Sequence, residues 1–366
     1  MTTTATVVTT EPTRQRATSL PWEAIVRFAA LGTLCMSAYV LLHVAQSSSN
    51  PLDFIQPGAD GPSAAVIAAD FPADDLPSGL GLDGQQYYTV ARDPLHVRDN
   101  ADFLDRPRYR MQRPVFPLFA WILHPWGGGT GLIVAFVVVG IAALFVGCLA
   151  TGALSATLGG PPWAAALFAA TPGAFWSLRV TVADALALAL ALSAVAFAAR
   201  SRHRRALACA ILAVLTKEVA LLVLIGWYLS NRSRRNAIMA GAATAALAGW
   251  AVVVRILLPP DDAGVNEFGV PFVGLVRAAS RHWIDHQELW GCASAVTALA
   301  LAFYVLARHR LRHPLSGIVV VLVAFASIMN SDVIGLNFGA TRSMMGLLVV
   351  AAVCALAPHP SRTAAP

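Results

Sequence analysis

Long apolar stretches separated by short polar segments make up most of this chain. A helix that spans the hydrocarbon core of a bilayer needs about 20 mostly apolar residues, and the chain contains eight clear candidates. They are residues 23–45, 128–151, 162–178, 182–199, 237–258, 288–307, 315–330 and 342–357. The pattern predicts an all-α polytopic membrane protein.

The apolar stretch 206–229 differs from the others because the polar sequence Thr-Lys-Glu interrupts its middle, at 216–218. Arginine-rich runs flank it at 200–205 and 232–235, and such runs favour the cytoplasmic side of a membrane. A single crossing would place one run outside, whereas a hairpin of two half-length helices keeps both inside. We therefore predict this hairpin, about ten membrane segments in all, and cytoplasmic termini.

The composition supports a membrane protein and excludes several other classes. Hydrophobic residues make up 57% of the chain and charged residues 13%, whereas about a quarter of the residues of soluble proteins are charged. The five cysteines are scattered among apolar stretches without a C-x-x-C pair, so neither a disulfide framework nor a metal site is predicted. The net charge of +6 includes short arginine runs between apolar segments, which indicate topology and no nucleic-acid partner.

The longest polar stretch, residues 46–127, holds ten of the twenty acidic residues. Loops of this length cross a membrane largely regardless of their charge, and they are too long to be mere connectors. We expect a partly helical and functional first extracytoplasmic loop. The chain thus divides into a disordered cytoplasmic start at 1–22, a transmembrane domain at 23–357 and a cytoplasmic tail at 358–366.

Asp83 begins the most informative motif of this loop. Asp83 followed by glycine indicates the start of a short helix that stops at Pro94. Taken alone, the pair is explained by a plain helix cap, because Asp-Gly pairs are common in turns. The next residues include Gln86, Tyr87 and Tyr88, whose side chains could stack on a sugar and hydrogen-bond its hydroxyls.

Basic side chains cluster just before the second apolar span. Arg110 and Arg113 lie nearest the membrane in a run of four arginines from 106 to 113. They could bind a lipid phosphate through two hydrogen bonds each. Alternatively, they neutralise the acidic loop or extend their charged ends toward lipid headgroups.

Charged residues inside apolar stretches are functional candidates, because burying a charge in a membrane is costly. Asp184 begins an Ala/Leu-rich span, where it could be a binding residue or a helix cap. Lys217, the only lysine of the chain, and Glu218 lie at the hairpin apex, where they could meet a phosphate or form a structural pair. Arg342 enters the last span at the same expected level.

The order of these motifs resembles the GT-C superfamily of bacterial integral-membrane glycosyltransferases, especially small members associated with cell-surface glycopolymer formation. The resemblance rests on D-G-x-x-Y-Y at 83–88, Y-R-x-Q-R-P-x-x-P at 109–117 and L-T-K-E-x-A-L-L at 215–222. It implies an enzyme of the bacterial inner membrane that transfers a sugar, with inversion, from a polyprenyl-phosphate donor. The acceptor would be a cell-surface glycan or lipid on the outer face.

The resemblance also implies roles for particular residues. Asp83 matches the family's general base, and Lys217 and Arg342 match its phosphate-stabilising cations. The other expected substrate-binding residues are Gln86, Tyr87, Tyr88, Asp93, Arg110, Arg113, Asp184 and Glu218. No resident cofactor or metal site is assigned, and a divalent-metal requirement is left open because no D-x-D pair lies at the membrane entry of the first loop.

Two other functions use a similar layout. A transporter or flippase for lipid-linked sugars would share the polar residues inside the membrane, but it favours internal repeats, and none is evident in the sequence. A non-catalytic subunit of a glycopolymer assembly system would bind the lipid phosphate without turnover.

Overall fold

The computed structural model describes residues 20–47, 50–261 and 268–358. Helices account for 74% of the structure and the described residues contain no strand, so the predicted all-α class is confirmed. One isolated β-bridge joins Phe268 to Met329. The predicted disordered start and the cytoplasmic tail fall almost entirely outside the described residues.

Helices follow one another along most of the described chain. The α-helices are α1 Trp22–Ser47, α2 Ala64–Asp70, α3 Asp83–Arg92, α4 Val97–Ala101, α5 Pro107–Met111, α6 Val115–Leu123, α7 Thr130–Thr157, α8 Ala166–Ala169, α9 Pro172–Arg179, α10 Asp184–Ala199, α11 His203–Thr216, α12 Ala220–Ser230, α13 Arg234–Leu257, α14 Val273–Arg281, α15 Leu289–His309, α16 Ser316–Ile328, α17 Ser331–Ile334 and α18 Asn337–Leu356. Short 3₁₀ helices cover Pro51–Phe54, Pro162–Ala165 and His286–Glu288.

Five of the described helices, α1, α7, α13, α15 and α18, are long and apolar enough to cross a membrane. The shorter helices α10, α12 and α16 are also apolar. Side chains on the outside of the bundle are large and apolar, with Leu34 68% and Ile256 74% exposed, as expected of a surface that faces lipid. These helices indicate a membrane protein, while the total of about ten membrane segments stays a prediction.

Helix α10 lies at the centre of the bundle, between α7 and α11. Its sequence is apolar almost all round, from Ala185 to Ala199, and a helix of this kind is stable when every face is covered. Its small alanine side chains allow the neighbouring helices to approach closely. The single acid, Asp184, is therefore confined to the helix start.

The interrupted stretch 206–229 forms two helices, as the sequence predicts. Helix α11 ends at Thr216, Lys217 has an extended backbone, and α12 begins at Ala220. At the opposite end of this hairpin, Arg235 contacts His203 with 2.9 Å between nitrogens. Both flanking arginine runs therefore lie at one end of the bundle and Lys217 at the other.

Two other predicted spans have different boundaries. The single helix predicted at 162–178 is wrong, because this stretch forms a 3₁₀ helix and the short helices α8 and α9. Thr171 caps α9 by accepting a hydrogen bond from the Ala174 N–H, and Pro172 occupies its first turn, where a proline is well tolerated. Helix α18 begins at Asn337, earlier than predicted, so Arg342 lies within the helix rather than at its start.

The long first loop is partly helical, as predicted, and contains α2 to α6. We call the end of the bundle that carries this loop the loop end, and the opposite end the far end. Helix α5 is anchored there on α13: the Trp250 indole donates to the Met111 carbonyl oxygen at 2.8 Å, and Asp261 accepts from the backbone N–H groups of Arg108 and Tyr109. This anchoring holds the arginines of α5 over the bundle.

Candidate functional site

A cavity of about 810 Å³ lies at the loop end, among the ends of the hairpin, α16, α17 and α18. The charged side chains of its wall include Asp83, Arg113, Asp184, Lys217, Glu218 and Arg342. The apolar side chains of its wall include Leu222, Phe268, Phe325, Ile328, Met329 and Leu336. The cavity therefore fits a ligand that has both a charged group and an apolar portion.

Asp83 is the first residue of α3, and Gly84 allows this helix start to approach its neighbours. A Cβ atom on Gly84 would lie 2.4 Å from the Val180 carbonyl oxygen and 2.8 Å from that of Ile55, closer than real Cβ atoms come. Leu82 is the N-cap residue, and the Asp83 carboxylate accepts hydrogen bonds from arginines. The simple helix-cap interpretation of Asp83 is therefore not what the structure shows.

The Asp83 carboxylate binds one arginine on each oxygen. Arg110 Nη1 donates to Oδ1 at 2.8 Å, and Arg342 Nη1 donates to Oδ2 at 3.1 Å. Burial disfavours the ionised carboxylate, but the charges of Arg342, Arg110 and Lys217 outweigh this effect and hold the pKa of Asp83 well below its usual range. Asp83 is thus ionised, and it is a weak proton acceptor while both arginines stay in place.

Arg110 lies behind the cavity wall and links Asp83 to Asp105. Its Nε and Nη2 donate to the two Asp105 carboxylate oxygens at 2.8 and 2.7 Å. Burial opposes the charge of Arg110, but the hydrogen bonds and charges of Asp105 and Asp83 raise its pKa above the usual value. Arg110 therefore stays charged and holds Asp83 from one side.

Arg342 reaches Asp83 from α18, far along the chain. Its Nη1 is shared between Asp83 and Asp184, with 3.2 Å to Asp184 Oδ2. Its guanidinium lies 3.5 Å from the centroid of the Phe338 ring, and its Nε donates to the Phe338 carbonyl oxygen at 3.0 Å. Stacking on an aromatic ring and a backbone hydrogen bond fix the orientation of the guanidinium toward the carboxylates.

Lys217 and Glu218 pair with distant residues. Lys217 Nζ donates to Asp184 Oδ1 at 2.6 Å. Glu218 accepts two hydrogen bonds from Arg113, whose guanidinium also lies 4.0 Å from the Tyr109 ring centroid. The predicted alternative of a Lys217–Glu218 structural pair is therefore replaced by two pairs that join the hairpin apex to α10 and to the loop.

These contacts form one chain of six charged side chains and a separate pair, Arg113 and Glu218, with Glu218 next to Lys217 in the sequence of the hairpin apex; we call all eight side chains the charged cluster. Its carboxylates are Asp83, Asp105, Asp184 and Glu218, and its cations are Arg110, Arg113, Lys217 and Arg342. Four negative and four positive charges sum to zero. Such pairing is what allows so many charges to lie in a largely buried place.

Some predicted sugar-binding residues do not line the cavity. Gln86 accepts a hydrogen bond from the Asp105 N–H, Tyr87 packs edge-on against the Phe116 ring, and the Tyr88 hydroxyl donates to Asp70 at 2.7 Å. All three side chains are almost fully buried. The structure gives them contacts that hold the loop together, so their expected role in sugar binding has no support from the geometry.

Asp93 also lies outside the cavity wall. Its partly exposed carboxylate contacts the His96 ring nitrogen at 2.8 Å, and this contact raises the pKa of His96. The prediction of a substrate contact for Asp93 is likewise without support from the geometry.

Sequence reasoning missed Tyr109, Asp105 and Phe338. Tyr109 lies between Arg106 and Arg113, whose guanidinium carbons are 4.1 and 4.0 Å from its ring centroid. Its place inside the run of arginines was a usable signal for such stacking. Asp105 was one of ten acids in the loop, and nothing in its local sequence distinguished it.

Comparisons of the chain with models of protein families, with curated proteins and with solved structures find no match. Within residues 20–47, 50–261 and 268–358, no group of three or more His, Cys, Asp or Glu side chains is placed to hold a metal ion. The site must therefore be interpreted from its own chemistry.

Proposed function

We propose that this protein is an inverting membrane glycosyltransferase of the GT-C type. It transfers a hexose or pentose from a polyprenyl-phosphate donor to a hydroxyl of a cell-surface glycan or lipid, on the outer face of the bacterial inner membrane. The observation that carries the proposal is one cavity whose wall combines a carboxylate, two cations from distant parts of the chain and several apolar side chains. In this proposal the loop end faces outward.

The shape of the site suits an amphipathic donor. A second cavity, of about 70 Å³, lies among α10, α12, α16 and α18, and its wall is otherwise largely apolar. Asp184, Lys217 and Arg342 line both cavities. A phosphate bound at this junction would leave the prenyl chain against apolar helices and the sugar in the larger cavity.

The charged side chains supply the chemistry of sugar transfer. Asp83 takes the proton of the acceptor hydroxyl, whose oxygen attacks the anomeric carbon while the bond to the phosphate oxygen breaks. Lys217 and Arg342 stabilise the negative charge that develops on the departing phosphate. A single displacement of this kind inverts the anomeric configuration.

The experiment is sugar transfer by the full-length protein in proteoliposomes supplied with a panel of labelled polyprenyl-phosphate sugars. We expect Asp83→Asn to reduce transfer by a factor of about 100 or more, with unchanged expression and membrane insertion. Asp99→Asn is the matched control, because Asp99 is an exposed acid of the same loop. Full transfer by Asp83→Asn would remove the proposed mechanism.

The same assay separates the two other functions. A flippase would move labelled lipid between leaflets without forming a new glycosidic bond. A non-catalytic subunit would bind the lipid phosphate, and neither transfer nor movement would follow.

A further inference from the structure

Arg342 and Lys217, the cations proposed for the donor phosphate, already hold carboxylates. One nitrogen, Arg342 Nη1, contacts Asp83 at 3.1 Å and Asp184 at 3.2 Å, and Lys217 Nζ contacts Asp184 at 2.6 Å. A phosphate that approaches Arg342 from the cavity therefore meets a guanidinium of which one nitrogen is already shared by two carboxylates.

The charge balance makes this sharing important. The charged cluster is neutral, and the other charged residues of the cavity wall, Arg106 and Asp332, add one charge of each sign. A bound phosphodiester would leave the site with an uncompensated negative charge. In a largely buried place such a charge is unfavourable unless one carboxylate moves away from the cations.

Asp83 is better placed to move than Asp184. Its side chain is 25% exposed, against 11% for Asp184. Asp83 also has a partner outside the cavity, because Arg110 holds Oδ1 and is itself held by Asp105. Loss of Arg342 would thus leave Asp83 with one ion pair, while Oδ2 becomes accessible from the cavity.

We infer that Asp83 and the donor phosphate compete for Arg342, so that donor binding frees the Asp83 Oδ2 oxygen to accept the proton of the acceptor hydroxyl. This inference rests on the proposed function. It assigns the ion pair between Asp83 and Arg342 to the ligand-free state, in which it keeps the base inactive. The transferred proton goes to Oδ2, and the electron pair of the broken sugar–oxygen bond goes to the phosphate that Arg342 then holds.

One consequence is that donor binding precedes activation of the acceptor. With Arg342 bound to the phosphate and Asp83 held by Arg110 alone, Asp83 loses a stabilising positive charge, and its pKa rises toward the ordinary range of a carboxylate. A carboxylate with a higher pKa is a stronger base. The donor must therefore bind before the acceptor hydroxyl can be activated, which also limits reaction with other hydroxyls when no donor is bound.

The test measures binding of farnesyl phosphate, which carries no sugar, to the purified full-length protein in detergent. Asp83→Asn removes the competing charge and keeps the size of the side chain. We expect this variant to bind farnesyl phosphate about tenfold more tightly than the wild type, given the strength of one charge at short range. Arg342→Gln should bind it about tenfold more weakly.

Asp70→Asn is the matched control for net charge. Asp70 belongs to the same loop and pairs with Arg92 at 2.9 Å, and it is not part of the wall of either cavity. Its variant should bind farnesyl phosphate like the wild type. Farnesol and inorganic phosphate, tested separately, show whether the ligand is recognised by its phosphate together with its lipid chain.

The outcomes distinguish the inference from the proposed function. Equal or weaker binding by Asp83→Asn, with clear binding by the wild type, overturns the inference alone. Absence of binding by every variant overturns both. If Asp83→Asn does not purify as a single species, Asp83→Ser replaces it, because it also removes the charge that competes for Arg342 and should also bind more tightly.

Discussion

Arg342 and Cys354 lie about 18 Å apart along α18, and each belongs to a group of buried ionisable side chains. The charged cluster surrounds Arg342 at the loop end. At the far end, Cys354 Sγ lies 3.2 Å from Nδ1 of His313, whose ring is 5.0 Å from that of His309. His309, His313 and Cys354, which we call the histidine cluster, are each at most 3% exposed.

The two groups differ in whether their buried side chains carry a charge. Burial, with a smaller effect from His309, lowers the pKa of His313 to about 4, so this ring is neutral at pH 7. Its Nδ1 accepts a hydrogen bond from the Leu315 N–H at 3.2 Å. The charged cluster instead keeps its charges and pairs them.

Buried polar residues at a ligand site can therefore be distinguished from those in packing by whether they keep their charge. Neutralisation is the less expensive solution when nothing but packing is required. Paired charges at the wall of a cavity retain a strong field where a ligand can enter. Neither of these two cavities includes a residue of the histidine cluster.

The largest effect is expected for Arg342→Gln. This variant leaves Asp83 and Asp184 without their shared cation and removes charge stabilisation from the departing phosphate, so transfer should fall by a factor of about 1,000. The measurement is the initial rate of transfer in proteoliposomes. Arg308→Gln, at the far-end turn of α15, is the control and should leave the rate unchanged; a comparable loss there would mean that the contrast between the ends is false.

Lys217→Met should have the next largest effect. Asp184 keeps one of its two cations, Arg342, so we expect a loss of transfer of about 100-fold. Lys217→Arg should recover part of the rate, since it restores the charge without the compact ammonium group. The ratio of these two rates is the measurement. Equal rates for the two variants would show that the charge of Lys217 is not used.

Substitutions of Gly346 test whether the smaller cavity, whose wall includes this residue, binds the donor. A Cβ atom at this position would lie 3.5 Å from Leu188 Cδ1 and 3.6 Å from Leu322 Cδ1, so alanine fits with ordinary contacts. Gly346→Leu would fill part of the smaller cavity. We expect KM for the polyprenyl donor to rise about threefold to tenfold in Gly346→Leu and to stay unchanged in Gly346→Ala. Unchanged KM in both variants would separate the smaller cavity from donor binding.

His313→Asn should have the smallest effect on transfer. The asparagine oxygen can replace Nδ1 as acceptor for Leu315, so the rate at pH 7 should not change. The stability of the wild-type protein should depend on pH, because the pKa of His313 in the folded protein, about 4, lies below its ordinary value of 6.5. Between these two pH values the unfolded chain binds more protons at His313 than the folded chain does. The contribution of neutral His313 to stability is therefore fully present above about pH 6.5 and is lost as the pH falls toward 4.

The measurement is the Tm of the purified protein between pH 7 and pH 4.5. In the wild type the melting temperature should fall by a few degrees over this range, and His313→Asn should flatten the profile. Asp83 does not contribute in this window, since its lowered pKa affects stability only as the pH falls below that of an ordinary carboxylate. A wild-type profile without this slope would contradict the neutral burial of His313.

Much of the helical framework could be predicted because its causes are local. The apolar stretches at 23–45, 237–258 and 288–307 lie within α1, α13 and α15 or differ from them by a residue or two. The break at Lys217 was predictable from its charge inside an apolar stretch. The broken segment 162–178 was not predicted, because its apolar composition concealed the effect of Pro172.

Hydrophobicity and the avoidance of buried charge act residue by residue, so the order of amino acids is enough to indicate which stretches become apolar helices and which charged residues are exceptions among them. The partners of those charges follow only from the packing of the folded chain. Arg113 meets Glu218 across 105 positions and Arg342 meets Asp83 across 259. Contacts over such separations depend on how the helices pack, so only the folded chain brings these groups to one cavity and leaves Tyr87 and Tyr88 in the packing of the loop.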